Sequence, residues 1–207
     1  MKRPAVLLVT ALLASSCGKP AESPVAAPLV GQPSSADAGW KTFEDDWFKV
    51  SYPPGSAVTT TEDGKQNPAS PVLAVIPPDA SNGLAGAFTL QFEKVYTGML
   101  LRDAIQSALG KKMNSRGTML LAPREIKVVN GRCMTTMVVN PQEHCPKDSG
   151  NCFYPTVLTL CDDQAGRRFT AMTMLATGNN PGALSQKAQQ EAAAYERILR
   201  SLEFKKS

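Results

Sequence analysis

A single histidine, His144, stands in a chain of 207 residues. That scarcity excludes any multi-histidine metal centre and leaves a Ser-His-Asp arrangement dependent on one position. No GxSxG, GxGxxG or phosphate-loop pattern occurs, so the usual marks of a nucleophile elbow, a dinucleotide fold or a nucleotide cradle are missing. No apolar run reaches the roughly 20 residues that a transmembrane helix needs. Internal repeats and long low-complexity runs are absent too. Lys and Arg are spread along the chain, with only short doublets such as Lys111-Lys112 and Arg167-Arg168. Nucleic-acid binders carry clustered basic patches, so no nucleic-acid partner is expected.

What is present begins at the N-terminus, MKRPAVLLVTALLASSCGKP. Lys2 and Arg3 precede a ten-residue apolar stretch from Ala5 to Ala14, and small residues then lead to Cys17. A basic start, a short apolar core and small residues at the cut describe a secretory signal peptide, expected over residues 1–16. LLASSC resembles the lipobox of bacterial lipoproteins, with Ala14 where that pattern usually has leucine. The resemblance implies a lipid on Cys17 and a membrane anchor, since several acyl chains hold where one holds weakly. Gly18, in the place where aspartate favours the inner membrane, implies the outer membrane, facing the periplasm. Residues 17–39 are therefore read as the lipidated cysteine and a flexible tether. GKPAESPVAAPLVGQPSSADAG is rich in Pro, Ala, Ser and Gly and cannot bury enough surface to offset its ordering entropy. Removing Lys2 and Arg3 lowers the formal charge from +4 by 2, to +2. Residues 40–207 suit one globular domain with a real core.

Export decides how the cysteines are read. Cys133, Cys145, Cys152 and Cys161 are even in number once Cys17 is set aside, and in an oxidising compartment such a set reads as disulfides. The β-rich runs RCMTTMVVN and YPTVLTLCD flank a polar loop. Folding them into a hairpin that opposes Val139 to Pro155 also opposes Cys133 to Cys161. Directly opposed residues lie close enough to bridge. Cys145 and Cys152 are left to close the loop on themselves. In the chain-entropy view the outer bridge contributes about 3.5 kcal/mol and the inner about 2.5 kcal/mol. The gaps of eleven, six and eight residues between these cysteines do not match paired zinc-ligand spacing. His144 cannot easily turn onto the sulfur of adjacent Cys145, which disfavours a nucleophile pair. No metal and no cofactor are expected.

Along the domain, Phe48, Val50 and Tyr52 alternate as a half-buried strand ended by Pro53. Trp40, Phe43 and Trp47 are read as packing a sheet edge. The carboxylates Glu44, Asp45 and Asp46 are read as a solvated face rather than a cation site. After the turn-rich TTTEDGKQNPASP, strands are expected at Val72–Ile76 and Ala87–Val95. A helix follows with Thr97 or Gly98 as its cap and a stripe of Leu101, Ile105, Ala108 and Leu109. A strand from about Arg124 to Val129 reaches Asn130-Gly131, a strong hairpin signal. Asp162-Asp163 is read as opening a polar turn, and RFTAMTMLA as the next strand. The last element, ALSQKAQQEAAAYERILRSLEF, reads as one helix with Pro181 near its first turn. Its stripe is Leu184, Ala188, Ala192, Tyr195, Leu199 and Leu202. The predicted class is α+β: a mostly antiparallel sheet of about six or seven strands covered by two helices.

The opening FKVSYP, the mid-chain helix, IKVVNGRCMTTMVV and the closing ILRSLEF together resemble the Mog1/PsbP-like fold over about residues 47–204. The resemblance implies a sandwich of that type and a role in binding proteins or serving as an accessory subunit. It assigns no binding residues here. With no catalytic constellation in sight, the function expected is a non-catalytic binding or assembly module of the cell envelope. The alternative is an envelope enzyme with a carboxylate-based site. The expected partners are the membrane, through the anchor at Cys17, and an envelope protein. The candidate contact is the stapled polar loop, with Gln142, Glu143, His144, Lys147 and Asp148, because fixing a loop lowers the entropy lost on binding. The alternative, which the polar composition favours, is that the inner bridge only protects a long insertion from proteases.

Overall fold

Period-two apolar alternation and two amphipathic helices dominate the domain. The structure is a computed structural model, describing residues 39–67, 70–78, 80, 86–93, 98–113, 116–141 and 152–206. The strands are β1 (Lys41–Glu44), β2 (Phe48–Tyr52), β3 (Ala57–Thr60), β4 (Pro71–Ile76), β5 (Phe88–Glu93), β6 (Thr118–Val128), β7 (Gly131–Pro141), β8 (Phe153–Asp163), β9 (Arg168–Met174) and β10 (Glu203–Phe204). The helices are α1 (Leu101–Lys112) and α2 (Gln186–Arg200), with a short 3₁₀ turn at Glu62–Lys65. Seven strands form one sheet in the order β3-β4-β5-β9-β8-β7-β6, and three form a second in the order β1-β2-β10. All the pairings between these strands are antiparallel. The fold is α+β.

Strand β8 shows how the layers are built. Val157 and Cys161 join the main core with Ala192, Tyr195, Ile198 and Leu199 of α2. Leu158 and Leu160, on the opposite face, pack with Leu101 and Ile105 of α1. Successive strand side chains point to opposite faces, so α1 and α2 cover the two sides of one strand. This explains why β8 is buried without a break from Pro155 to Asp163. Each side chain that α1 buries (Leu101, Ile105, Leu109) contributes about 2 kcal/mol of apolar transfer. The small sheet closes the α2 side. Its fully buried Phe48 and Phe204 meet Phe169 of β9, with the Phe169 and Phe204 ring centroids 5.1 Å apart.

Several expectations change in detail. Helix α1 is preceded by Leu100 without a side-chain cap, so neither Thr97 nor Gly98 caps it; Gly98 takes φ 72°. Helix α2 starts at Gln186, where the Ser185 hydroxyl accepts from the Ala188 N–H at 3.2 Å. Pro181 therefore lies outside the helix. The C-terminal run is two elements: α2 ends at Arg200 and Glu203–Phe204 pairs with β2. Strand β6 begins six residues before Arg124, its pattern hidden by register shifts on either side of Leu121. Asp162 and Asp163 end a strand, buried against arginines.

Candidate functional site

Five strands carry charge to one end of the large sheet. Lys127 opposes Arg132, Arg132 opposes Asp162, Asp162 opposes Arg168, and Arg168 opposes Glu93. Directly opposed residues share a face, so five charged side chains cross β6, β7, β8, β9 and β5 in one row. The Arg168 guanidinium is buried and donates to both Asp162 oxygens, at 2.6 and 2.8 Å. It also donates to the Met99 carbonyl at 2.8 Å, fixing the approach to α1. A bidentate pair of this kind leaves the buried carboxylate satisfied. Asp163 is held likewise: Arg167 Nε reaches it at 2.5 Å, and the Arg167 guanidinium lies 5.0 Å from the Trp47 ring centroid.

The other half of the row is different. Lys127 and Arg132 are both exposed and directly opposed, a like-charge arrangement that costs stability in a sheet. Asp162, the acidic neighbour of Arg132, is already committed to Arg168. Two shallow clefts meet at Arg132. One, of about 280 Å³, is bounded by Gly131, Asp162, Asp163, Gln164 and Gly166. The other, of about 160 Å³, is bounded by Leu100, Leu101, Arg102, Glu125 and Met134. Around them stand three of the five exposed large apolar side chains among the described residues: Leu100 (64% exposed), Val129 (52%) and Met99 (42%).

A second polar group is sealed beneath α2. Glu196 is buried, accepting from Arg124 Nη2 at 2.5 Å and from Arg200 Nε and Nη2 at 3.0 and 2.7 Å. Beside it the Tyr195 hydroxyl donates to Thr159 Oγ1 at 2.9 Å, and Thr159 donates to Thr135 at 2.8 Å. Thr135 ends the chain on the Leu158 carbonyl at 3.4 Å. Burial holds the Tyr195 phenol well above its ordinary pKa, so it stays neutral across the physiological range. The cavity these groups border is about 10 Å³, the size of a single water and too small for a substrate.

The residues singled out in the sequence are unevenly placed. Cys133 and Cys161 are opposed in register, their Cα atoms 4.0 Å apart, and bonded; both are fully buried. Val139 opposes Pro155 in the same ladder. Cys152 is buried and disulfide-bonded, while Cys145 lies outside the described residues, as do Cys17, Gln142, Glu143, His144, Lys147 and Asp148. Asp45 caps the turn into β2, accepting from the Trp47 and Phe48 N–H groups at 2.7 and 2.9 Å. Glu44 pairs with Lys205. Among the described residues no group of three or more His, Cys, Asp or Glu side chains is arranged to hold a metal, and no helix is long and apolar enough to cross a membrane. Sequence reading missed the Arg132 end. Its only signal was Lys127 and Arg132 at equal distances from the hairpin turn. No family model and no curated protein matches the chain.

Proposed function

We propose that the chain is a lipoprotein of the bacterial outer membrane, anchored at Cys17, whose Mog1/PsbP-like domain is a non-catalytic binding or assembly module of the cell envelope. One contrast carries this reading. The polar groups that converge inside the domain surround about 10 Å³, whereas Arg102, Lys127 and Arg132, with no side-chain partner among the described residues, face outward at one rim. Chemistry needs a cavity that admits a substrate; recognition needs only a surface. A closed pair of sheets with shallow clefts supports the second. The bridge assigned to Cys145 and Cys152 would hold the loop of Gln142, Glu143, His144, Lys147 and Asp148 as an additional contact.

Metabolic labelling with a radioactive fatty acid tests the anchor: label is expected on the parent chain and none on Cys17→Ser. For the module itself, Pro141 to Cys152 is replaced by a short Gly-containing turn, and separately Arg132 by Glu. At least one of these variants should lose envelope proteins that co-purify with the parent. An unchanged set in both would overturn the binding reading at these surfaces.

A further inference from the structure

We propose that the end of the domain formed by the β6–β7 turn and the approach to α1 rests on an anionic bilayer surface. The apolar residues there are exposed and sit on connections between elements. Val129 belongs to the two-residue turn between Val128 and Gly131, and Met99 and Leu100 immediately precede α1. Connections that hold out large apolar side chains suit shallow insertion among headgroups, whereas a peptide ligand would be met by a concave apolar groove.

The charges beside these residues fit the same occupant. Arg102, Lys127 and Arg132 are exposed, and their side chains make no hydrogen bond or ion pair among the described residues. The carboxylates on this rim are Glu125, which opposes Met134, Asp103, in the first turn of α1, and Glu93, which accepts from Thr170 at 2.6 Å. Glu203, bridged to Val129, is directly opposed by Lys49. Asp162 and Asp163 are neutralised by Arg168 and Arg167. Three cations without an ion pair thus face Glu125 and Asp103, and among the described residues no salt bridge relieves the opposed pair Lys127 and Arg132. An anionic leaflet would relieve it. Each basic residue near such a surface is worth roughly a fivefold gain in partitioning. The proposal rests on the anchor reading only for which bilayer is meant.

The test uses the lipidated full chain in vesicles of phosphatidylethanolamine with phosphatidylglycerol. A polarity-sensitive fluorophore is attached through Val129→Cys, through Leu100→Cys and, as a control on the exposed side of α2, through Gln190→Cys. The probes at 129 and 100 should shift to the blue and escape an aqueous quencher, while the probe at 190 remains quenched. The combined variant Arg102→Gln, Lys127→Gln, Arg132→Gln should lower the docked-to-undocked ratio by about a hundredfold, three fivefold steps. Replacing the anionic lipid with phosphatidylcholine should act in the same direction. Equal quenching at 129 and 190 overturns the proposal and leaves an acidic protein partner for this surface; protection that survives the triple variant overturns the recognition of anionic lipid by these cations. A chain that leaves the vesicles altogether sinks the anchor and this contact together. One that stays bound with position 129 fully quenched sinks the contact alone.

Discussion

Replacing Gly131 with alanine should destabilise the domain, and the reason separates two roles a glycine can have in a hairpin. In this turn the left-handed conformation belongs to Asn130, at φ 55°, and not to Gly131. What Gly131 supplies is space. A Cβ there would lie 2.6 Å from Phe204 Cδ2 and 2.8 Å from the Asp162 carbonyl. Phe204 is fully buried between β2 and the core, and the carbonyl belongs to the neighbouring strand, so neither yields easily. Overpacking of this kind costs about 1–3 kcal/mol. The stiffer unfolded chain returns about 0.4–1 kcal/mol, leaving a net loss of about 1–2 kcal/mol. For a domain of this size that lowers Tm by about 2–8 °C. Urea unfolding followed by Trp40 and Trp47 fluorescence measures it. In a double-mutant cycle, Phe204→Leu should relieve part of the clash, so the double variant should be more stable than the sum of the singles by at least about 0.5 kcal/mol. A Gly131→Ala protein as stable as the parent, or additive singles, would refute the close-approach argument.

Two further outcomes follow from groups inside the core. Cys133→Ala with Cys161→Ala should lower stability by about 3.5 kcal/mol, as expected for a 28-residue separation; in the folded parent the buried bridge should resist a reductant until urea is added. Tyr195, raised in pKa by burial, should give an alkaline limb. Its unfolded pKa is near 10 and its folded value is higher, so its contribution is fully present below about pH 10 and is lost as pH rises towards the folded value. Urea midpoints measured through that range should fall less steeply for Tyr195→Phe than for the parent, and identical slopes would sink the assignment.

The legible parts of this fold were those set by local periodicity. The β7–β8 register could be read because both runs are long, β-rich and separated by a loop, so opposing Val139 to Pro155 also places Cys133 against Cys161. The helix stripes were read for the same reason, with Leu101, Ile105, Ala188, Tyr195 and Leu199 all buried. Helix ends were misread where two signals competed, as when Pro181 outweighed the Ser185 hydroxyl. Asp162 and Asp163 looked like turn residues because their burial depends on Arg167 and Arg168, which arrive from the next strand. The second sheet was invisible, since nothing near Glu203 names Lys49 as its partner. The Arg132 end was missed likewise: its basic residues come from α1, β6 and β7, and only the folded chain brings them to one rim.

The pairing of β10 with β2 also sets an order of events. Phe204 opposes Phe48, and the Val129 carbonyl accepts from the Phe204 N–H at 3.0 Å. A chain that emerges N-terminus first presents Phe48 long before Phe204, so β2 must wait, one edge unpaired and its apolar face uncovered, until nearly the whole chain has appeared. Ring closure across so many residues loses entropy before any contact repays it, and folding dominated by such closures is slow. During that interval β2 is a strand edge open to other chains. Residues 203–204 therefore act as a latch: two residues whose late arrival ends the period in which the emerging chain is vulnerable.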